Sequence, residues 1–135
     1  MKIGIVNMGI SNVQSVYNSL VHLQIDVGIE ETPVELNKYT HLIIPGVGAF
    51  PKGSNFLEVS GFKDAILEFD IKNKPILGIC LGMQLLASEG LEYGNNNGLG
   101  LISGVVDKIE VPNDLVLPHV GWNSVKQVKT SNLWN

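Results

Sequence analysis

Short apolar runs separated by stretches of helical spacing constrain the fold of this chain more than any other feature. The runs Ile3 to Val6, Leu42 to Ile44 and Pro75 to Ile79 are almost continuously apolar, as expected of strands buried on both faces. Apolar residues at helical spacing predict a helix over roughly 12 to 23. This alternation predicts an α/β fold, a parallel sheet flanked by helices on both faces.

The remaining helices and strands are marked less clearly. Asp26 to Ile29 resembles a further strand of the sheet. Apolar spacing from Leu57 to Phe69 predicts one more helix, although Gly61 weakens its first part. The segment from Gly82 to Ala87 should open another helix directly after the strand that ends at Ile79.

The pattern changes from Gly98 onward. Gly104 to Ile109 and Ser124 to Val128 look like strands with no helix between them, so we expect a β-rich C-terminal part. Asn95 to Gly98 should form a loop. With 135 residues, the chain fits one domain of ordinary size.

Composition excludes several classes of protein. A hydrophobic fraction of 44% and a charged fraction of 16% are typical of a globular domain. The net charge of -4 and the lack of a basic cluster argue against a nucleic-acid partner. No apolar run reaches the ~18 residues of a membrane helix. The single cysteine and the absence of an export signal lead us to expect a cytoplasmic protein without an internal disulfide.

The segment Gly78-Ile79-Cys80-Leu81-Gly82 joins a predicted strand to a predicted helix. This is the cysteine counterpart of a nucleophile elbow, in which flanking glycines allow a tight turn that exposes the nucleophile. The helix amides beside the sulfur would favour thiolate and could meet an oxyanion. A lone cysteine is usually a small core residue, but a core cysteine needs neither the glycines nor the turn.

A second glycine-rich turn, Pro45-Gly46-Val47-Gly48-Ala49-Phe50, follows the strand at Leu42 to Ile44. Loops at the carboxyl ends of parallel strands line the ligand crevice of an open α/β sheet. We therefore expect this loop to lie beside the elbow and to offer backbone N–H groups to an oxyanion.

Together these motifs resemble the class I, cysteine-dependent glutamine amidotransferases, over most of the chain. Within that family they are similar to the glutaminase subunits of imidazole glycerol phosphate synthase. The segments Asn7 to Asn12, Pro45 to Phe50 and Leu117 to Asn123 carry that finer similarity. Ser11 departs from it, since glycine is usual there. The fold would then be that of a class I amidotransferase, which is flavodoxin-like.

The resemblance also implies an activity and its partners. Glutamine would be hydrolysed at Cys80 through a thioester, without a metal or a cofactor. The ammonia would pass to a (β/α)-barrel synthase (cyclase) subunit in a heterodimer. That subunit would make imidazole glycerol phosphate and aminoimidazole ribotide for histidine biosynthesis.

Site residues follow from the same motifs. The resemblance makes Gly46, Val47, Gly48 and Leu81 the oxyanion frame beside Cys80. Two further groups are implied, the glutamine-holding pair Gln84 and Glu92 and the partner-facing set Asn12, His119, Gly121 and Trp122. Chemistry alone is less specific: Gln84 shares a helical face with Cys80, whereas Glu92 reads as a solvated loop carboxylate.

The general base is missing from the pattern. The family supplies a His-x-Glu pair downstream of the cysteine, and no such pair occurs in these 135 residues. The only histidines are His22, His41 and His119, and none matches the base. We expect residues 1–135 to be a single amidotransferase domain, incomplete at the C-terminus. The alternatives are a non-catalytic module that binds the synthase and a glutaminase paralogue that aminates a surface-polysaccharide sugar.

Overall fold

The computed structural model describes residues 1–112, 117, 118 and 120–130, and its centre is a four-stranded parallel sheet. The strands follow the spatial order β2-β1-β3-β4. Their bounds are β1 Lys2–Val6, β2 Asp26–Glu30, β3 His41–Gly46 and β4 Ile76–Cys80. All four runs predicted as strands are therefore strands, and the predicted parallel sheet is confirmed.

Helices connect these strands. They are α1 Val13–His22, a 3-10 helix Pro33–Lys38, α2 Phe50–Ser60, α3 Phe62–Ile71 and α4 Leu81–Leu85. The chain moves from β1 to β2 in one direction and then to β3 and β4 in the other. Right-handed crossovers then put α1 and the later helices on opposite faces of the sheet. No described helix is long and apolar enough to cross a membrane.

Two predicted helices differ from the observed ones. The helix predicted from Leu57 to Phe69 is two helices, because Gly61 takes a left-handed conformation at φ 77° and ends α2. The helix after Cys80 is only five residues long and gives way to a strand at Ala87. Helical spacing in that stretch was too short to show where the helix ends.

A second, three-stranded sheet follows α4. Its strands are β5 Ala87–Gly90, β6 Asn96–Asn97 and β7 Ile102–Val106, in the order β6-β5-β7. The expected β-rich part is therefore present, although β7 runs over Ile102–Val106 and not over Gly104 to Ile109. The prediction of a loop from Asn95 to Gly98 is wrong at Asn96 and Asn97, because these two residues pair with β5 as β6. The prediction of a strand at Ser124 to Val128 is wrong, since these residues are exposed and are assigned no secondary structure.

The apolar core lies between the sheet and helices α2, α3 and α4. Phe50, Phe62, Ile66, Phe69 and Leu85 are at most 1% exposed within it. Burial of such side chains contributes about 1.5–3 kcal/mol each and holds α4 against the sheet.

Strand β4 is less buried than its apolar sequence predicted. Leu77 is 40% exposed and Ile79 is 38% exposed. Side chains alternate between the two faces of a strand, and Ile76 packs against the core, so Leu77 and Ile79 point to the opposite face. On that face α1 lies mainly against β2 and β1. A continuous apolar run indicates a strand that is covered on both faces, but it does not say which residues provide the cover.

Candidate functional site

Cys80 lies at the junction of β4 and α4, at the carboxyl edge of the parallel sheet. Its backbone has φ 54° and ψ -117°, a conformation that non-glycine residues rarely adopt. Such backbone strain is about 1–3 kcal/mol and is typical of functional turns. The turn exposes the thiol, which forms no disulfide. The nucleophile-elbow geometry predicted from the sequence is present.

Glycines on both sides of Cys80 allow α4 to lie directly on the sheet. A Cβ at Gly82 would be 1.7 Å from the Ile44 carbonyl oxygen, and one at Gly78 would be 2.4 Å from the Met83 Cα. Both obstacles are backbone atoms, so no rotamer change could relieve them. The two glycines are therefore required by close backbone approach, not merely by the turn.

The predicted oxyanion loop leaves the strand next to the elbow. Gly46 is the register partner of Cys80 across β3 and β4, so the two residues are side by side at the sheet edge. Gly48 has φ 106°, which favours glycine. Leu81 follows Cys80 with its side chain buried at 1% exposure, which anchors the start of α4 in the core. The predicted oxyanion residues thus lie at the carboxyl ends of two adjacent strands: Gly46 to Gly48 at the end of β3 and just after it, and Leu81 at the start of α4.

One of these amides is engaged within the protein. The Val47 N–H donates to the Ile10 carbonyl at 2.9 Å, which joins the loop after β3 to the loop after β1. These loops leave the two strands between which the order of the sheet reverses, the usual place for a ligand crevice. For the Val47 amide to bind an oxyanion, its bond to Ile10 must first break.

The two residues predicted to hold glutamine differ in their surroundings. Gln84 is half-buried on α4, one turn after Cys80. Glu92 is exposed in the loop after β5, and its Oε2 accepts a hydrogen bond from the Phe50 N–H at 2.8 Å. Glu92 therefore contacts the residue at which the oxyanion loop ends and α2 begins. The interpretation of Glu92 as a carboxylate that contacts only water is therefore wrong.

Sequence reasoning missed Asn96, which organises the loop that carries Glu92. Its Nδ2 donates to the carbonyl oxygens of Glu92 at 3.0 Å and Gly94 at 2.7 Å. The asparagine run at 95–97 had predicted a loop, but nothing in its composition distinguished the inward-facing residue.

No described histidine reaches Cys80. His41 begins β3 at the amino edge of the sheet, whereas Cys80 is at the level of Gly46, the last residue of β3. Five residues of strand separate these levels, about 16 Å at the usual rise. His22 ends α1, close to the start of β2 and thus at the same far edge. Neither His22 nor His41 is placed to act as a base on Cys80, and His119 lies outside the described residues.

The residues predicted to face a partner are exposed where the structure describes them. Trp122 is fully exposed, and Gly121 has open space around its Cα. Asn12 caps α1, since its Oδ1 accepts from the Ser15 N–H at 3.3 Å. The cap was expected at Ser11 or Asn12, and Asn12 fills it.

Cys80 is exposed at the carboxyl edge of the parallel sheet. One cavity of about 540 Å³ is lined by Asp107 to Val111 and Leu117, and another of about 530 Å³ lies at the end of α1, so Cys80 lines neither of them. Among the described residues, no group of three or more His, Cys, Asp or Glu side chains could hold a metal ion.

Comparison with known proteins decides the family. The family model described as "Glutamine amidotransferase class-I" matches residues 4–131. The chain belongs to the class I glutamine amidotransferase family. The elbow at Cys80 and the loop at Gly46 to Gly48 therefore lie within a class I amidotransferase domain.

Curated relatives of this amidotransferase carry a more specific name. The chain is 45% identical over 134 residues to the imidazole glycerol phosphate synthase subunit HisH of Wolinella succinogenes, covering 97% of this chain and 65% of the relative. It is 39% identical over 133 residues to the subunit of the same name from Bacillus cytotoxicus, covering 98% and 63%. The chain thus spans less than two thirds of the length of either relative.

A solved structure agrees on the fold. A crystal structure of a glutamine amidotransferase superposes with a TM-score of 0.68 at 20% identity, covering 79% of this chain and 56% of that one. At this identity the likeness establishes the fold of the amidotransferase domain, a parallel sheet flanked by helices.

Proposed function

We propose that this chain carries the nucleophile and substrate-binding half of a glutaminase site. Cys80 attacks the side-chain carbonyl of glutamine, a sulfur–carbon bond forms, and the carbon–nitrogen bond breaks to release ammonia. Water then attacks the resulting glutamyl thioester and frees glutamate and the thiol. The observation that carries the proposal is the strained, exposed Cys80 beside Gly46 at the carboxyl edge of the sheet.

The neighbouring groups take supporting roles in this proposal. Backbone amides of the Gly46 to Gly48 loop and of Leu81 stabilise the oxyanion of the tetrahedral intermediate. Gln84 and Glu92 hold the α-amino and carboxylate groups of glutamine, and the exposed Glu92 carboxylate suits an ammonium. The base that takes the thiol proton is absent from the sequence motifs of residues 1–135, which we propose are one amidotransferase domain without that part.

The ammonia acceptor is proposed from the relatives. Their name, a subunit of imidazole glycerol phosphate synthase, supports a synthase subunit as the partner. We propose that the ammonia passes to a (β/α)-barrel synthase (cyclase) subunit that makes imidazole glycerol phosphate and aminoimidazole ribotide. We assign Asn12, His119, Gly121 and Trp122 to the face that meets this subunit, and the complete exposure of Trp122 is consistent with an interface anchor. A cytoplasmic, cofactor-free reaction fits a chain with one free cysteine.

A second candidate function rests on the missing base. Neither described histidine is near Cys80, which favours a non-catalytic module that binds the synthase through the Trp122 segment. Glutaminase turnover measured on this chain mixed with the (β/α)-barrel synthase subunit separates the two functions. Turnover that Cys80→Ser abolishes contradicts the non-catalytic module. Binding to the barrel without turnover, when the chain is folded, contradicts catalysis by this chain alone.

A further inference from the structure

The loop between β5 and β6 is held by one side chain. Asn96 follows the loop and is the register partner of Gly90 across the two strands. Its Nδ2 donates to the carbonyls of Glu92 at 3.0 Å and Gly94 at 2.7 Å, with a weaker contact to the Gly90 carbonyl at 3.5 Å. An amide nitrogen has two protons, so the two short bonds use both of them.

The backbone of this loop needs such support. Tyr93 has φ 54° and Gly94 has φ 115°, so two successive residues are in left-handed conformations. Tyr93 is 87% exposed, so its ring does not hold the turn by packing. Among side chains of the described residues, Asn96 is the only hydrogen-bond donor to the carbonyls of this loop.

The same loop is joined to the elements around Cys80. Glu92 Oε2 accepts from the Phe50 N–H at 2.8 Å, and Phe50 directly follows the predicted oxyanion loop. The Phe50 ring lies on Gly90, where an added Cβ would be 2.5 Å from it. Ser54 Oγ, one turn along α2, donates to the Asn97 carbonyl at 2.6 Å. The position of Glu92 is thus set by the loop that Asn96 orders and by the start of α2.

We propose that Asn96 is a positioning residue for glutamine recognition, acting through Glu92. By holding the backbone at Glu92 and Gly94, Asn96 keeps one carboxylate oxygen of Glu92 on the Phe50 N–H. The other oxygen then faces outward for the ammonium group of the substrate. This inference rests on the proposed function, since it assumes that Glu92 binds glutamine.

The test uses a diazoketone analogue of glutamine, which alkylates the cysteine nucleophile of a glutamine site. Saturation kinetics give an apparent inhibition constant and a maximal rate, read from the intact mass of the chain. Asn96→Asp removes both protons and keeps the side-chain shape. Asn95→Asp puts the same charge on an exposed neighbour and is the matched control. Iodoacetamide, which needs no recognition of glutamine, reports the reactivity of Cys80 itself.

We expect Asn96→Asp to raise the inhibition constant about tenfold, the effect of losing one or two net hydrogen bonds. In Asn96→Asp, the maximal rate of labelling and the rate with iodoacetamide should remain within twofold of those of the unsubstituted chain. In Asn95→Asp, the inhibition constant and both rates should remain within twofold. In a Glu92→Gln background, Asn96→Asp should have little further effect, because both act on one contact. Asn96→Ser, which keeps one donor, should fall between.

Several results would overturn the inference. If the unsubstituted chain is labelled saturably and Asn96→Asp matches Asn95→Asp, Asn96 does not position Glu92. If the iodoacetamide rate falls together with the analogue rate, or Asn96→Asp and Asn96→Ser are both unfolded by circular dichroism, Asn96 supports the fold in general. If the unsubstituted chain shows no saturation, the proposed function itself fails and the inference fails with it.

Discussion

Replacing Gly82 with alanine should destabilise the protein and disturb the elbow together. The new Cβ would lie 1.7 Å from the Ile44 carbonyl oxygen, whereas carbon and oxygen in even weak hydrogen bonds stay about 3.3 Å apart. The start of α4 must therefore move away from β3 by about 1.5 Å. Overpacking typically costs about 1–3 kcal/mol in stability. We expect about 3 kcal/mol here, because the atoms in the way are the carbonyl oxygen and carbon of Ile44, which cannot rotate aside.

Thermal and chemical denaturation measure this effect. At this chain length about 4 °C of Tm corresponds to 1 kcal/mol, so Gly82→Ala should lower the Tm by about 12 °C. Gly121→Ala is the matched control, because a Cβ there meets open space and should change stability by at most about 0.5 kcal/mol. A Gly82→Ala variant as stable as Gly121→Ala would refute the close packing of α4 on β3.

Other predictions follow from charge and exposure. Burial opposes ionisation of Glu30, but hydrogen bonds from Lys38 and Tyr39 outweigh it and lower the pKa of the carboxyl below 4.5. The stabilisation from ionised Glu30 is complete above pH 4.5 and is lost as the pH falls through the lowered pKa. In urea denaturation, the free energy of unfolding of Glu30→Gln should therefore fall less steeply at acid pH. An unchanged acid dependence would mean that Glu30 does not contribute to it. Burial and the bond to Glu30 raise the pKa of Tyr39 to about 12, so its contribution should be complete below pH 10 and lost as the pH approaches 12, an effect that Tyr39→Phe should remove from the alkaline limb. Trp122→Ala should change the Tm by no more than about 2 °C, because the ring is fully exposed. The same variant should bind the (β/α)-barrel synthase subunit more weakly in titration calorimetry. A large loss of Tm would mean that the ring packs on this chain.

The parallel sheet and the elbow could be predicted because local pattern determines them. Continuous apolar runs mark β1, β3 and β4, and the glycines around Cys80 mark a turn with close packing behind it. Both signals act over fewer than about ten residues, so a single sequence displays them. The side-by-side placement of Gly46 and Cys80 followed from the parallel order of β3 and β4.

Features that depend on distant neighbours could not be predicted. The exposure of Leu77 and Ile79 depends on which elements cover their face of β4, and the composition of β4 does not encode that. Ser124 to Val128 were predicted to form a strand, but a strand also requires a partner, and the described chain offers none. The contact between Glu92 and the Phe50 N–H joins residues 42 positions apart. The spacing of residues along the sequence does not predict such a contact.

Covalent labelling of Cys80 by the diazoketone analogue, in competition with glutamine, tests the central claim most directly. Cys80 is the only cysteine in the chain, so a single mass increment located to the peptide that contains it identifies the site. The account predicts saturable labelling near neutral pH that L-glutamine prevents, D-glutamine does not prevent, and Cys80→Ser abolishes. The account would be contradicted if the labelling rate of the folded chain rose linearly with the analogue concentration and did not change with L-glutamine. Cys80 would then be an exposed thiol without a glutamine site.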